Sequence, residues 1–235
     1  MNTYNQKVIL ILGGTGSIGS CIADALEQQG VLVVRHGRNG SYAYDVSNEQ
    51  DTNAAHVFVE KIIQEFGRID AVVNSLSSSR QIARFEKKTW HDFLGHLHVQ
   101  LKAAVEIERN VIHYMKKQGK GKIVHVLTSA VMGTPPASMS DYVTAKYAML
   151  GLTKAMAKEL GRDHITVNAV SPGFIKNKFN SKLPEKLSEI IEAETPIGSL
   201  TTEDNVMRAV LFLLSDDADH ITGENINISG GHVMQ

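Results

Sequence analysis

Lys7-Val-Ile-Leu-Ile-Leu12 is an apolar run of strand length that passes without a spacer into Gly13-Gly-Thr-Gly-Ser-Ile-Gly19. Beyond the glycines, Ile18, Ile22 and Leu26 mark one side of a helix. Glycines permit backbone conformations and close approaches that a Cβ atom would obstruct. The start of a helix offers N–H groups and the positive end of a dipole to an anion. Strand, glycine turn and helix in this order therefore form a cradle for dinucleotide phosphates rather than an ordinary tight turn.

The rest of the chain alternates in the same way. Runs of β type fall near 8–12, 31–35, 42–45, 69–73, 123–127, 165–170 and 226–228, and helical periodicity falls near 17–29, 53–66, 89–117, 141–161 and 203–214. That order predicts an α/β fold with a parallel sheet covered on both faces. No linker or repeat divides the sequence, so residues 1–235 are expected to form one domain, which is long for a single unit but common for α/β folds. A net charge of -1 leaves no electrostatic footprint for nucleic acid or an anionic membrane. No apolar run approaches the ~18 residues of a membrane span, and the run at 8–12 is too short for a secretory leader. A cytoplasmic protein is expected. Cys21 is the only cysteine, which excludes an intrachain disulfide, and it is read as an inert helix residue.

A second constellation carries chemistry. Ser129 ends an apolar run, Tyr142 follows thirteen residues later, and Lys146 lies four residues further on the same helix face. A phenol is a poor acid or base near neutral pH, and an adjacent cation favours its ionised form. Serine, tyrosine and lysine at this spacing suit proton transfer in a carbonyl/alcohol interconversion. The tyrosine–lysine pair alone is weak evidence, because chance supplies such pairs readily. It gains meaning from the cradle upstream.

Together these motifs resemble the short-chain dehydrogenase/reductase family, and most closely its 3-oxoacyl-(acyl carrier protein) reductase-like members. The marks occur in family order: the glycine turn, Asp45-Val46, Asn74 after an apolar strand, Ser129, Tyr142 with Lys146, Asn168-Ala-Val-Ser-Pro-Gly173, and Ile221-Thr-Gly-Glu with Gly230-Gly231. The resemblance implies a Rossmann-type doubly wound sheet of about seven strands, ordered 3-2-1-4-5-6-7, with its crevice at the carboxyl ends. It implies that Gly13, Thr15, Ser17, Ile18, Gly19, Asp45, Val46, Asn74, Tyr142, Lys146, Ile175 and Asn177 bind a nicotinamide coenzyme. Ser129 would hold the substrate oxygen, Tyr142 would exchange its proton, and Lys146 would tune the phenol and bind the ribose. The implied reaction is reduction of a carbonyl to a secondary alcohol, or its reverse, on a 3-oxoacyl thioester or a small ketone. The alternative is a nucleotide-binding regulator or assembly partner with weak or no catalysis.

Several residues depart from the family pattern. Only about nine residues separate Arg35 from Asp45, too few for a usual parallel crossover, so the helix between strands 2 and 3 is expected to be absent. Gly37 occupies the site of the acid that selects NAD, and Arg38 follows. This favours NADP(H) over NAD(H), with Arg38 as the main contact to the 2′-phosphate and Arg35 as a second. Ser17 replaces a glycine, Asn177 replaces a threonine, and Asn74-Ser-Leu-Ser77 replaces the usual Asn-Asn-Ala-Gly. Gln100 stands where the family has the asparagine of its proton relay. His91, His96 and His98 lack metal-ligand spacing on a helix; no metal is expected, and these side chains are read as solvated or interfacial.

Residues 176–201 correspond to the family's substrate lid and read as a mobile amphipathic segment. Lys176, Lys178 and Lys182 are candidates to receive an acyl carrier protein or a coenzyme A phosphate. Helices 89–117 and 141–161 are expected to pair with symmetry mates in a homotetramer or homodimer, aided by the small residues Ala145, Ala148, Gly151 and Ala155.

Overall fold

A computed structural model describes residues 7–37, 53–78, 81–177, 180 and 185–234. Among them, six strands form one parallel sheet: β1 (Val8–Leu12), β2 (Leu32–His36), β3 (Ala71–Asn74), β4 (Gly121–Val126), β5 (Ile165–Pro172) and β6 (Asn225–Ile228). Their order is β2-β1-β3-β4-β5-β6, the expected order with the predicted strand at 42–45 left out. That strand lies outside the described residues, as does the question of a helix between residues 36 and 44. The sheet reverses direction of growth between β1 and β3, which opens a crevice above their carboxyl ends.

Side-chain alternation sorts β1 into two cores. Ile9 and Ile11 pack with Ile22 and Leu26 of α1 (Ser17–Glu27) and with Val206, Val210 and Leu213 of α7 (Glu203–Leu214). Val8, Leu10 and Leu12 face the opposite layer, against Val59 and Ile62 of α2 (Ala54–Phe66), Ile107 and Val111 of α4 (Ala103–Gln118), and Ala157 and Leu160 of α5 (Ser140–Leu160). Both faces are covered, so every β1 side chain is apolar and buried.

The long helix expected at 89–117 is broken. It consists of α3 (Trp90–Leu97), a π-helical turn over His98–Lys102 and then α4. The π turn widens the backbone spiral, an interruption that local hydrophobic periodicity does not reveal. Gln100 sits in it, 1% exposed. The segment read as a mobile lid contains a further helix, α6 (Glu185–Glu194). Its first-turn Glu185 is linked to Lys176 at 3.0 Å across the surface.

Candidate functional site

Gly13 leaves β1 with φ of 78°, a region costly for residues with a Cβ. A Cβ on Gly19 would overlap the Gly13 carbonyl oxygen, and one on either glycine would approach the Ser75 hydroxyl to 2.8–2.9 Å. Ser75 donates that hydroxyl to the Leu12 carbonyl at 2.8 Å, locking the loop after β3 against the loop after β1. The helix that follows has Gly16 at its N-cap with no side-chain cap and no acid in its first turn. Its leading N–H groups are thus offered to an anion rather than to a serine or aspartate. These features fit a nicotinamide dinucleotide: a close backbone cradle that a Cβ would fill, and an uncapped positive helix end.

Opposite the cradle, Asn177 follows β5 and donates from Nδ2 to Ser17 Oγ at 3.0 Å and to Glu203 Oε1 at 2.9 Å. The two substituted positions thus meet each other across the crevice. Ile175 is buried, and its carbonyl accepts from Asn180 Nδ2 at 2.6 Å. The Asn74 amide donates to Glu108 Oε1 of α4 at 3.4 Å, while its Oδ1 accepts from Leu76 N at 3.2 Å.

Arg38, Asp45 and Val46 lie outside the described residues. Arg35 is engaged elsewhere: its guanidinium donates to Glu27 Oε1 at 2.9 Å and to Asp24 Oδ1 at 2.6 Å on α1. Hydrogen bonding to Glu27, followed by that to Asp24, raises its already high pKa further against the opposing effect of burial. These bonds clamp α1 to β2. At Gly37 any Cβ would overlap Thr15 Oγ1 in the glycine turn, so no acidic side chain fits there without moving a stiff β-branched neighbour.

Ser129 opens a 3₁₀ turn, Ser129–Val131, directly after β4. That turn packs on α5: Ala130 clusters with Tyr142 and Val143 of the helix and with Met139 just before it, and Val131 with Met149. Tyr142 and Lys146 are 6% and 4% exposed, respectively. Lys146 Nζ donates to the Val126 carbonyl at 2.8 Å and lies 6.0 Å from the centre of the Tyr142 ring. The fold therefore brings the serine turn, the phenol and the ammonium to the carboxyl end of β4.

His96 differs from expectation. It is 3% exposed, the buried residue of α3, and faces the site rather than solvent, with Nδ1 2.6 Å from Ser78 Oγ and 3.3 Å from Gln100 Nε2. Its Nε2 is 3.6 Å from Asp141 Oδ2, which also receives Lys88 Nζ at 2.7 Å. The charged side chains of Lys88 and Asp141 are 1% and 3% exposed. Sequence reasoning missed Lys88 and Asp141, although an acid directly before the tyrosine was a usable signal. It also missed Glu108 and His125, a fully buried pair with His125 Nε2 3.1 Å from both carboxyl oxygens. Cys21 agrees with its reading as an inert residue, because burial, then Asp204, Glu203 and Asp24, push its thiol pKa up.

A family model described as enoyl-(acyl carrier protein) reductase matches residues 13–232. The chain belongs to the short-chain dehydrogenase/reductase family. This short-chain dehydrogenase/reductase is 33% identical to the 3-oxoacyl-[acyl-carrier-protein] reductase of Thermotoga maritima, over 97% of this chain and 98% of that one. The protein of the same description in Escherichia coli is 29% identical, over 98% and 99%. In fold it matches a gluconate 5-dehydrogenase from Burkholderia cenocepacia, solved in complex with NADP and tartrate. The TM-score is 0.90 at 22% identity, covering 98% of this chain and 96% of that one. The chain is an NAD(P)-dependent short-chain oxidoreductase.

Proposed function

We propose that this chain is a single-domain NADP(H)-linked reductase that converts a carbonyl to a secondary alcohol, with a 3-oxoacyl thioester as its substrate class. One observation carries the reading: Tyr142 and Lys146 are buried on adjacent turns of α5 beside the Ser129 turn, with the ammonium anchored on Val126. Ser129 holds the substrate oxygen. Tyr142 gives its proton to that oxygen during reduction and takes it back during oxidation. Lys146 donates to the Val126 carbonyl and keeps its charge beside the phenol, favouring the ionised form that reduction leaves behind. The coenzyme, held by Gly13, Thr15, Ser17, Ile18, Gly19, Asn74, Ile175 and Asn177, supplies or accepts the hydride when bound.

The preference for NADP(H) rests on Gly37. Thr15 fills the space that an acid would need there, so no carboxylate at position 37 repels a 2′-phosphate, and Arg38 is the proposed contact. The thioester class rests on the relatives described as 3-oxoacyl-[acyl-carrier-protein] reductases. Lys176 and its neighbours Lys178 and Lys182 are the proposed reception for the acidic carrier. A homo-oligomer through α4 and α5 is supported by the exposed Tyr147, Gly151 and Ala155 on α5 and by exposed Val105 on α4.

NADPH consumption measured against 3-oxoacyl thioesters, simple ketones and cyclic ketones tests the reading. Turnover highest on the thioesters, with Arg38→Ala lowering kcat/KM for NADPH more than for NADH, is the expected result. Coenzyme binding without turnover on any carbonyl would replace the enzyme reading with that of a nucleotide-binding regulator.

A further inference from the structure

Gln100 and His96 form a pair whose hydrogen bonding is consistent in two ways. A glutamine Nε2 only donates, so its 3.3 Å contact with His96 Nδ1 requires that nitrogen to accept. The imidazole is then neutral, with its proton on Nε2 facing Asp141 at 3.6 Å. In this arrangement Gln100 Oε1 is buried and has no hydrogen-bond partner. Such an orphan acceptor is unfavourable. Turning the amide over puts Oε1 toward Nδ1 instead, and that contact forms only when Nδ1 also carries a proton. The imidazolium then donates on both sides: to Gln100 Oε1, and toward the Asp141 carboxylate. Ser78 Oγ, 2.6 Å from Nδ1, adapts to either state because a hydroxyl both donates and accepts.

We propose that His96 is a positioning residue for Tyr142, which takes up a proton together with an overturn of the Gln100 amide and thereby couples the acid/base phenol to pH. The coupling is direct in space, because the imidazole meets the Tyr142 ring edge-on with centroids 5.8 Å apart. Among the described residues, the groups facing His96 include Asp141 and Tyr142 from α5, Lys88 from the segment before α3, Ser78 after β3 and Gln100 in the π turn. Asp141 favours the imidazolium, and the Lys88 ammonium on the same carboxylate opposes it. An imidazolium beside the phenol adds to the effect of Lys146 and favours loss of the tyrosine proton. This rests on the reading of Tyr142 as the acid/base group.

The test uses the folded, coenzyme-loaded protein with labelled histidine nitrogens and labelled tyrosine ring carbons, the Tyr142 signal being assigned with Tyr142→Phe. In the wild type, His96 titrates within the imidazole range of roughly pH 5–8, and the Tyr142 signal moves with the same midpoint. In Gln100→Met, which offers Nδ1–H only a weak thioether acceptor in place of an amide oxygen, the His96 midpoint falls. His96→Asn keeps a polar group at the site, and in it the Tyr142 signal and log kcat/KM lose their inflection in that range. A Tyr142 signal that ignores the His96 titration, or a midpoint unchanged by Gln100→Met, overturns the proposal. If His96→Asn does not fold, the wild-type and Gln100→Met titrations still decide. Absence of turnover on every carbonyl would count against the enzymatic reading alone, because the two magnetic resonance readings need no substrate.

Discussion

The ammonium of Lys146 donates to the main-chain carbonyl oxygen of Val126 across 2.8 Å, and both residues are at least 95% buried. This bond fixes α5 against the last residue of β4, the strand that delivers Ser129. Replacing Lys146 with Met leaves the Val126 carbonyl without that donor, a loss of about 1–3 kcal/mol for a buried group. It also removes the cation beside Tyr142. Turnover is expected to fall by roughly 10²–10⁴-fold, the range of a general acid/base contribution, while unfolding remains a single transition in circular dichroism.

Two glycines give opposite outcomes with alanine. At Gly19 the new methyl would overlap the Gly13 carbonyl, so Gly19→Ala should destabilise by about 1–3 kcal/mol and abolish coenzyme binding. At Gly95 in α3 nothing lies within 4 Å, and alanine favours the helix by up to about 1 kcal/mol. Thermal unfolding with and without NADPH reads both effects. Equal shifts would show that the cradle is not sterically closed.

The Glu108–His125 pair is expected to behave as one unit. Thr153 donates its only hydroxyl proton to the Met149 carbonyl at 2.7 Å, so it must accept from His125 Nδ1 at 2.8 Å. One proton then lies between Nε2 and the Glu108 carboxyl. His125→Leu strands that carboxyl in the core at a cost of about 3–5 kcal/mol, and Glu108→Leu strands the imidazole. The double replacement should recover much of the loss, as a denaturant-based mutant cycle would measure. Strict additivity would mean that the two side chains do not interact.

Acid sensitivity comes from the other end of the sheet. Lys120 donates to Asp216 at 3.0 Å and Asp219 at 2.8 Å, joining the start of β4 to the turn after α7. The Lys120 hydrogen bond holds the Asp216 carboxyl below its usual range against a smaller opposing effect of burial. At Asp219 burial is the largest influence and acts upward, but the hydrogen bonds and charges of Lys120 and Lys122 together outweigh it and leave the pKa lowered. A depressed carboxylate stabilises the fold above its unfolded pKa of ~3.9, and that contribution is lost as pH falls through the lower folded value. Both acids are nearly half-exposed, so each is worth under about 1 kcal/mol. Asp216→Asn should lower stability at pH 7 and leave it unchanged near pH 2, as urea unfolding at the two pH values would report.

Much of this was legible in the chain. The extents of α1, α2, α5 and α7 were legible to within two residues, and α1, α2 and α7 each bury one stripe of apolar side chains. The glycine turn and the Tyr142–Lys146 spacing were legible because steric closeness and helical phase are local properties. The π turn was not, since it adds one residue without changing which side chains are apolar. His96, read as solvated or interfacial, is buried inside the fold for a related reason. Its burial depends on Lys88, Asp141 and Ser78, which come from three other places in the sequence. The Arg35 clamp was not foreseen because its acidic partners, Asp24 and Glu27, lie on the preceding helix.

The central claim is that Tyr142 moves the proton in a hydride transfer to a carbonyl. NADPH carrying deuterium at the transferable position, incubated with a 3-oxoacyl thioester, should yield a 3-hydroxyacyl product labelled at the carbinol carbon. Tyr142→Phe should bind the coenzyme as tightly as the wild type and form labelled product at least ~10²-fold more slowly. Unlabelled product, or a Tyr142→Phe protein that works at the wild-type rate, would contradict the account.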